Sequence, residues 1–154
     1  MDLLNIKTTD DNLVPKELID TILTCFYRVY YDLGYGFLER VYQNALYYAL
    51  IDEGLKCEAE KMIKVYHNER VVGDYRADLL VEDCVLLELK TSEELSSANE
   101  KQLINYLKAT TIEVGYLLNF GKKPQFCRKV FSNNRKKFMN ANDAKNTNLH
   151  KKKY

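Results

Sequence analysis

The stretch "DYRADLLVEDCVLLELK", residues 74–90, decides how this chain folds. Two apolar runs, residues 79–81 and 85–87, flank a polar break at Glu82-Asp83, which is the pattern of a β-hairpin. The runs are apolar at consecutive positions, so both faces of these strands are buried. A sheet of that kind needs helices on both sides, which means an α/β sandwich around a mixed central sheet. Three charged residues, Asp78, Glu88 and Lys90, nevertheless stand within or beside the apolar runs. An unpaired charge is costly to bury, so these three need a separate explanation.

Side chains alternate along a strand, so Glu88 and Lys90 share a face. With a three-residue turn at residues 82–84, Val81 opposes Val85 and Asp78 opposes Glu88. Opposed residues have Cβ atoms about 4.5–5.5 Å apart. Two carboxylates that close repel, unless one protonates or a cation sits between them. Mg²⁺ needs only a few protein oxygens, because it keeps several waters. Lys90 beside such an ion can orient or deprotonate a water, or stabilise charge developing on a phosphate. The same three residues also fit a second reading, a buried salt bridge that serves only the fold.

Around the hairpin, residues 15–33 read as a helix with Leu18, Ile19, Ile22, Leu23 and Phe26 at helical spacing, Pro15 in its first turn and Gly34 at its end. A second helix is expected over residues 37–52, with Val41, Ala45, Tyr48 and Ala49 on one stripe and Gly54 as its stop. Residues 62–90 read as three or four strands with turns at His67-Asn68 and Glu82-Asp83. A third helix over residues 97–110 carries Leu103, Tyr106 and Leu107, and "VGYLLNF" and "QFCRKVF" complete the strands. The order α-α-β-β-β-α-β-β describes one domain over residues 1–138.

Composition agrees with that reading. The 154 residues are 29% charged and 46% hydrophobic, with a net charge of +1, as in a soluble protein with one core. No apolar run approaches a membrane span, and no signal-peptide core is visible, so a cytoplasmic protein is expected. The four cysteines form no CxxC pair and are expected to be buried free thiols. From Lys122 onward eleven Lys and Arg residues face one acid, Asp143, and residues 139–154 read as a basic, flexible tail. Twelve tyrosines, concentrated in "VYYDLGYGF" and "ALYYAL", offer an interface for a homodimer.

Two further polar sets interrupt apolar helical stripes. Glu39 stands at the start of the second helix with Tyr42 and Gln43 on about the same face, and Gln102 and Tyr106 are one turn apart on the third. The succession of Asp78, Glu88-x-Lys90 and Gln102-x-x-x-Tyr106 resembles the PD-(D/E)XK nuclease superfamily, in its RecB- and Cas4-like branch. "GFLERVY" is similar to the signature of the GxxExxY proteins within it, through Gly36, Glu39 and Tyr42. The resemblance covers about residues 31–131.

It implies a restriction-endonuclease-like α/β/α sandwich and a nuclease that hydrolyses DNA with Mg²⁺ or Mn²⁺. Asp78, Glu88 and Glu39 would hold the metal, and Lys90 would act on the attacking water. Gln102, Tyr106, Tyr42 and Arg128 (or Lys129) would position substrate or catalytic groups. Two positions depart from the pattern: Asn99 stands where such proteins often carry His, and Glu60 where they often carry Gln. The alternative is a catalytically silent nucleic-acid-binding or protein-interaction module on the same fold. Against it, neither acid nor the lysine is missing. A chain this short leaves no room for a separate DNA-recognition domain, so specificity is expected to come from a dimer or a partner.

Overall fold

The computed structural model of the chain describes residues 12–136. The expected tail at residues 139–154 lies outside them. Helix α1 (Lys16–Leu33) follows Pro15, whose backbone is extended (φ −61°) and whose carbonyl accepts from the Leu18 and Ile19 N–H groups to start the first turn. Its inward face is Leu18, Ile19, Ile22, Cys25, Phe26, Val29 and Tyr30, and Gly34 ends it in the left-handed region at φ 70°.

Helix α2 (Glu39–Asp52) begins two residues later than the spacing suggests, because Leu38 is extended (φ −65°, ψ 150°). Its buried face is also not the expected stripe. Tyr42, Gln43, Leu46 and Leu50 face inward, whereas Val41 and Tyr48 are exposed and Ala45 and Ala49 half-buried. Apolar residues occur on more than one face of this helix, so periodicity alone could not choose among them. Tyr42 takes the inward position because its ring stacks on Phe120, centroids 4.5 Å apart, and its hydroxyl is satisfied there. That hydroxyl donates to the Gly34 carbonyl and accepts from the Phe37 N–H.

Five strands follow: β1 (Cys57–His67), β2 (Arg70–Val81), β3 (Val85–Lys90), β4 (Val114–Phe120) and β5 (Pro124–Val130). They lie in sequence order, with β3 and β4 parallel and the other neighbours antiparallel. Helix α3 (Ser97–Lys108) is the crossover that the parallel pair requires. Leu79, Val81, Val85, Leu87, Leu89, Tyr116 and Phe120 pack with α1 and α2 on one face. Ile63, Ala77, Leu80, Leu86 and Leu117 pack with Leu103 and Leu107 of α3 on the other. The molecule is thus an α/β fold consistent with the restriction-endonuclease-like sandwich. Each fully buried leucine of β3 contributes about 1.5–3 kcal/mol, so the fold gains nothing from placing acids on that strand.

The hairpin turn is the expected one. Glu82 and Asp83 take positive φ (51° and 57°), and Val81 faces Val85. Beyond Leu79 and Leu87, however, β2 and β3 stop pairing. β2 continues along β1 to Arg70, while β3 continues along β4 to Lys90, so the sheet forks. Side-chain alternation also slips at the fork. Tyr75 and Ala77 face α3, as Leu80 does, so the alternation changes face at Asp78 while the register with β1 is kept. Across from it Glu60 is left-handed (φ 56°), between the pairs Ala59–Leu79 and Lys61–Ala77.

All four cysteines are free thiols. Cys25 and Cys57 are buried, but Cys84 and Cys127 are only half-buried, Cys84 in the hairpin turn and Cys127 on β5. Among the described residues no helix is long and apolar enough to cross a membrane.

Candidate active site at the fork of the sheet

The apex of the fork is where Asp78 and Glu88 meet. With the backbone ladder ended, each carboxylate takes over a hydrogen bond from the opposite strand. The Asp78 N–H donates to Glu88 Oε1 at 3.2 Å, and the Leu89 N–H donates to Asp78 Oδ2 at 2.8 Å. Each acid is therefore held by one oxygen, and the other oxygen has no hydrogen-bond donor among the described residues.

Glu88 is 8% exposed, and burial together with the neighbouring Asp78 pushes its pKa up to about 8. Burial also raises Asp78, with Glu60 adding to the effect and the Leu89 N–H opposing it. Glu39, at the N-terminal end of α2, is raised by burial and then by Asp78. The three acids thus sense one another, and Lys90 opposes all three shifts. Lys90 is half-buried and closes no ion pair among the described residues. The salt-bridge reading of these residues therefore fails in its simplest form.

From the α3 side Tyr106 approaches the pair. Burial raises its pKa, followed by Glu88 and Asp78, and the exposed Gln102 hydrogen-bonds it. The fold thus gathers Asp78, Glu88, Lys90, Glu39 and Tyr106, with Gln102 one contact away. It does not gather two other residues expected there. Tyr42 is fully buried and braces the turn before α2 instead. Arg128 faces Tyr116 across β4–β5, on the α1 side of the sheet, because strand alternation places it one position out of phase with the site. Its neighbour Lys129 does face α3, but is paired with Glu100 there.

Three residues outside the expected site set also contribute, two of which, Gln43 and Glu60, the sequence marks as polar or atypical without a role. Gln43, 5% exposed, donates to Glu60 Oε1 (3.1 Å) and to the Asp78 carbonyl (3.3 Å), which ties α2 to the fork. Glu60 also accepts from Arg40 at 3.0 Å. Tyr75 stacks on Tyr106 with centroids 3.5 Å apart, and its buried hydroxyl has no hydrogen-bond partner among the described residues. The other departure, Asn99, has a structural role: with Ser96 it forms the capping box of α3.

For a metal, the donor set is two hard carboxylate groups, Glu88 buried and Asp78 half-buried, which fits a small divalent cation that retains its waters. Among the described residues no group of three or more His, Cys, Asp or Glu side chains is placed to hold an ion together. The fold therefore supplies a pair of acids, with Glu39 within electrostatic reach but not part of a ligand cluster.

The profile of the PD-(D/E)XK nuclease superfamily matches residues 16–130, and the chain belongs to that superfamily. Among solved structures, the crystal structure of SSO0001 is similar at 22% identity and a TM-score of 0.48, over 60% of this chain and 50% of that one. The chain thus spans half the length of the solved structure it matches. No curated protein matches it.

Proposed function

We propose that this protein is a Mg²⁺- or Mn²⁺-dependent nuclease that hydrolyses phosphodiester bonds of DNA, of the GxxExxY type within the RecB- and Cas4-like branch. One observation carries the proposal: a buried acid, Glu88, and a half-buried one, Asp78, face each other across the fork, each with one oxygen uncommitted among the described residues, beside an ammonium that closes no ion pair among them. Asp78 and Glu88 would hold the ion, with Glu39 as the outer acid. A bound divalent cation supplies charge stabilisation at the phosphate and a more acidic water. Lys90 would orient the attacking water and offset negative charge at the scissile phosphate. Tyr106, held by Gln102, limits where the phosphate can lie. The four free thiols fit a reducing compartment, and we place the activity in the cytoplasm.

Incubation with single- and double-stranded DNA in Mg²⁺, with Asp78→Ala and Lys90→Ala as controls, tests the proposal. Cleavage by the wild type and a loss of at least about 100-fold in each variant are expected. Wild-type DNA binding without turnover would support the silent module instead.

A further inference from the structure

The turn between α1 and α2 exposes apolar surface where a soluble protein would be expected to hide it. Tyr35 is 58% exposed, Phe37 48% and Leu38 80%, in consecutive sequence with the acid Glu39. Contiguous exposed aromatic surface marks a binding site more often than chance. The turn is built to present these rings. Gly34 (φ 70°) and Gly36 (φ 110°) adopt backbone conformations that L side chains rarely take, so Tyr35 is held out between two glycines. Tyr42 clamps the same turn from below, through the Gly34 carbonyl and the Phe37 N–H.

Tyr35 and Phe37 form one wall of a groove of about 310 Å³. The opposite wall is Thr91 and Ser92, which directly follow Lys90 on β3, together with Lys122 from the end of β4. That wall is also fixed. Asn119 bonds Ser92 through both its amide nitrogen (2.9 Å) and its oxygen (3.1 Å). The Tyr30 hydroxyl bridges the carbonyls of Gly121 and Lys122 at 2.8 and 2.6 Å. Two aromatic rings, two hydroxyls and rigid walls make a preorganised slot for a flat, partly polar group. The charge on the walls balances, since Glu93 lines the groove as well as Lys122, so the slot is suited to a base rather than to phosphate.

The geometry points to a nucleobase subsite: this groove takes one unpaired base of a single-stranded segment, stacked on Tyr35 and Phe37. It rests on the nuclease reading only for where the phosphate lies, at Asp78, Glu88 and Lys90. A base can reach these rings only when it is not paired, so the groove selects single strands or frayed ends over intact duplex.

Anisotropy of a fluorescent single-stranded oligodeoxynucleotide and of its duplex, without divalent metal, tests the inference. The wild type is expected to bind the single strand more tightly. The Tyr35→Ala/Phe37→Ala variant is expected to lose roughly tenfold or more of that affinity with duplex binding unchanged, while Tyr35→Phe/Phe37→Tyr retains it. Single-strand affinity unchanged in the alanine variant would overturn the inference. So would an equal loss for duplex, or a change from dimer to monomer with no loss of binding. Cleavage measured in parallel separates the two readings. Ring-dependent binding without Mg²⁺-dependent cleavage keeps the groove and overturns the nuclease. Cleavage of both DNA forms that ignores the rings keeps the nuclease and overturns the groove.

Discussion

Glu88 shows how a single residue can be wrong for the fold and right for a site. Its carboxyl is raised to about 8 by burial and by Asp78, so the folded protein binds a proton that the unfolded chain, near 4.5, releases. The sign follows: the contribution of this group to stability is fully present below about pH 4.5 and is lost as pH rises through about 8, where the folded acid also ionises. Asp78, raised for the same reason, adds to that slope. Thermal melts of the metal-free protein should therefore show a falling melting temperature from about pH 5 to 8, and Glu88→Gln should flatten the curve. Saturating Mg²⁺ should do the same for the wild type, because it binds the ionised pair; at a hundredfold excess over Kd the gain is about 2.7 kcal/mol. Tyr75 makes the opposite kind of case. Its hydroxyl is buried without a partner among the described residues, so Tyr75→Phe removes a desolvation cost while leaving the ring stacked on Tyr106. An increase in stability of up to about 1 kcal/mol is expected, read by denaturant titration. A loss of that size would mean that the hydroxyl has a partner in solution.

At the scale of elements, the site depends on β2 and β3 parting company after three pairs. The slip at Asp78 and the left-handed Glu60 turn the acids out of the ladder, and Gln43 of α2 fixes the result. The other end of β3 is set by close packing. A Cβ on Gly121 would stand 2.1 Å from the Ser92 carbonyl oxygen, and that oxygen is fixed backbone. Gly121→Ala should therefore cost about 3 kcal/mol, at the upper end for overpacking, and should displace the segment after Lys90. Chemical denaturation gives the loss. A cost below about 0.5 kcal/mol would show that the β3–α3 loop is free to move. Gly115, whose added Cβ would meet only the flexible end of Leu103 at 2.9 Å, is the milder control.

For the whole molecule, apolar faces on both sides of β3 close the sandwich and leave the fork open at one end of the sheet. Outside the groove, large rings are still exposed on both N-terminal helices, with Tyr31 at 72% and Tyr48 at 63%. Rings with one apolar and one polar end suit protein interfaces, and we expect a homodimer through this surface. Sedimentation at micromolar concentration should give twice the 18.0 kDa chain mass, with Tyr31→Glu/Tyr48→Glu giving the monomer. A monomeric wild type would refute it.

The sequence by itself determined whatever depends on neighbours along the chain. Two consecutive apolar runs meant a sheet buried on both faces, and a short polar break set the Val81–Val85 register. Gly34 and Gly54 ended helices because a left-handed residue there favours glycine. The Asp78, Glu88 and Lys90 set was legible because charge inside apolar sequence is costly and therefore informative. Only the tertiary structure decided the rest. Which face of α2 turned inward depended on Phe120, far away in sequence, offering a ring for Tyr42 to stack on. Arg128 left the site because alternation along β5 is fixed by its pairing with β4, and one residue of phase changes the face. Glu60, Gln43 and Tyr75 entered because the sheet forks. The fork forms where β2 keeps its ladder with β1 and β3 keeps its ladder with β4 while the two part, and no local pattern within β2 records where its partners on either side diverge.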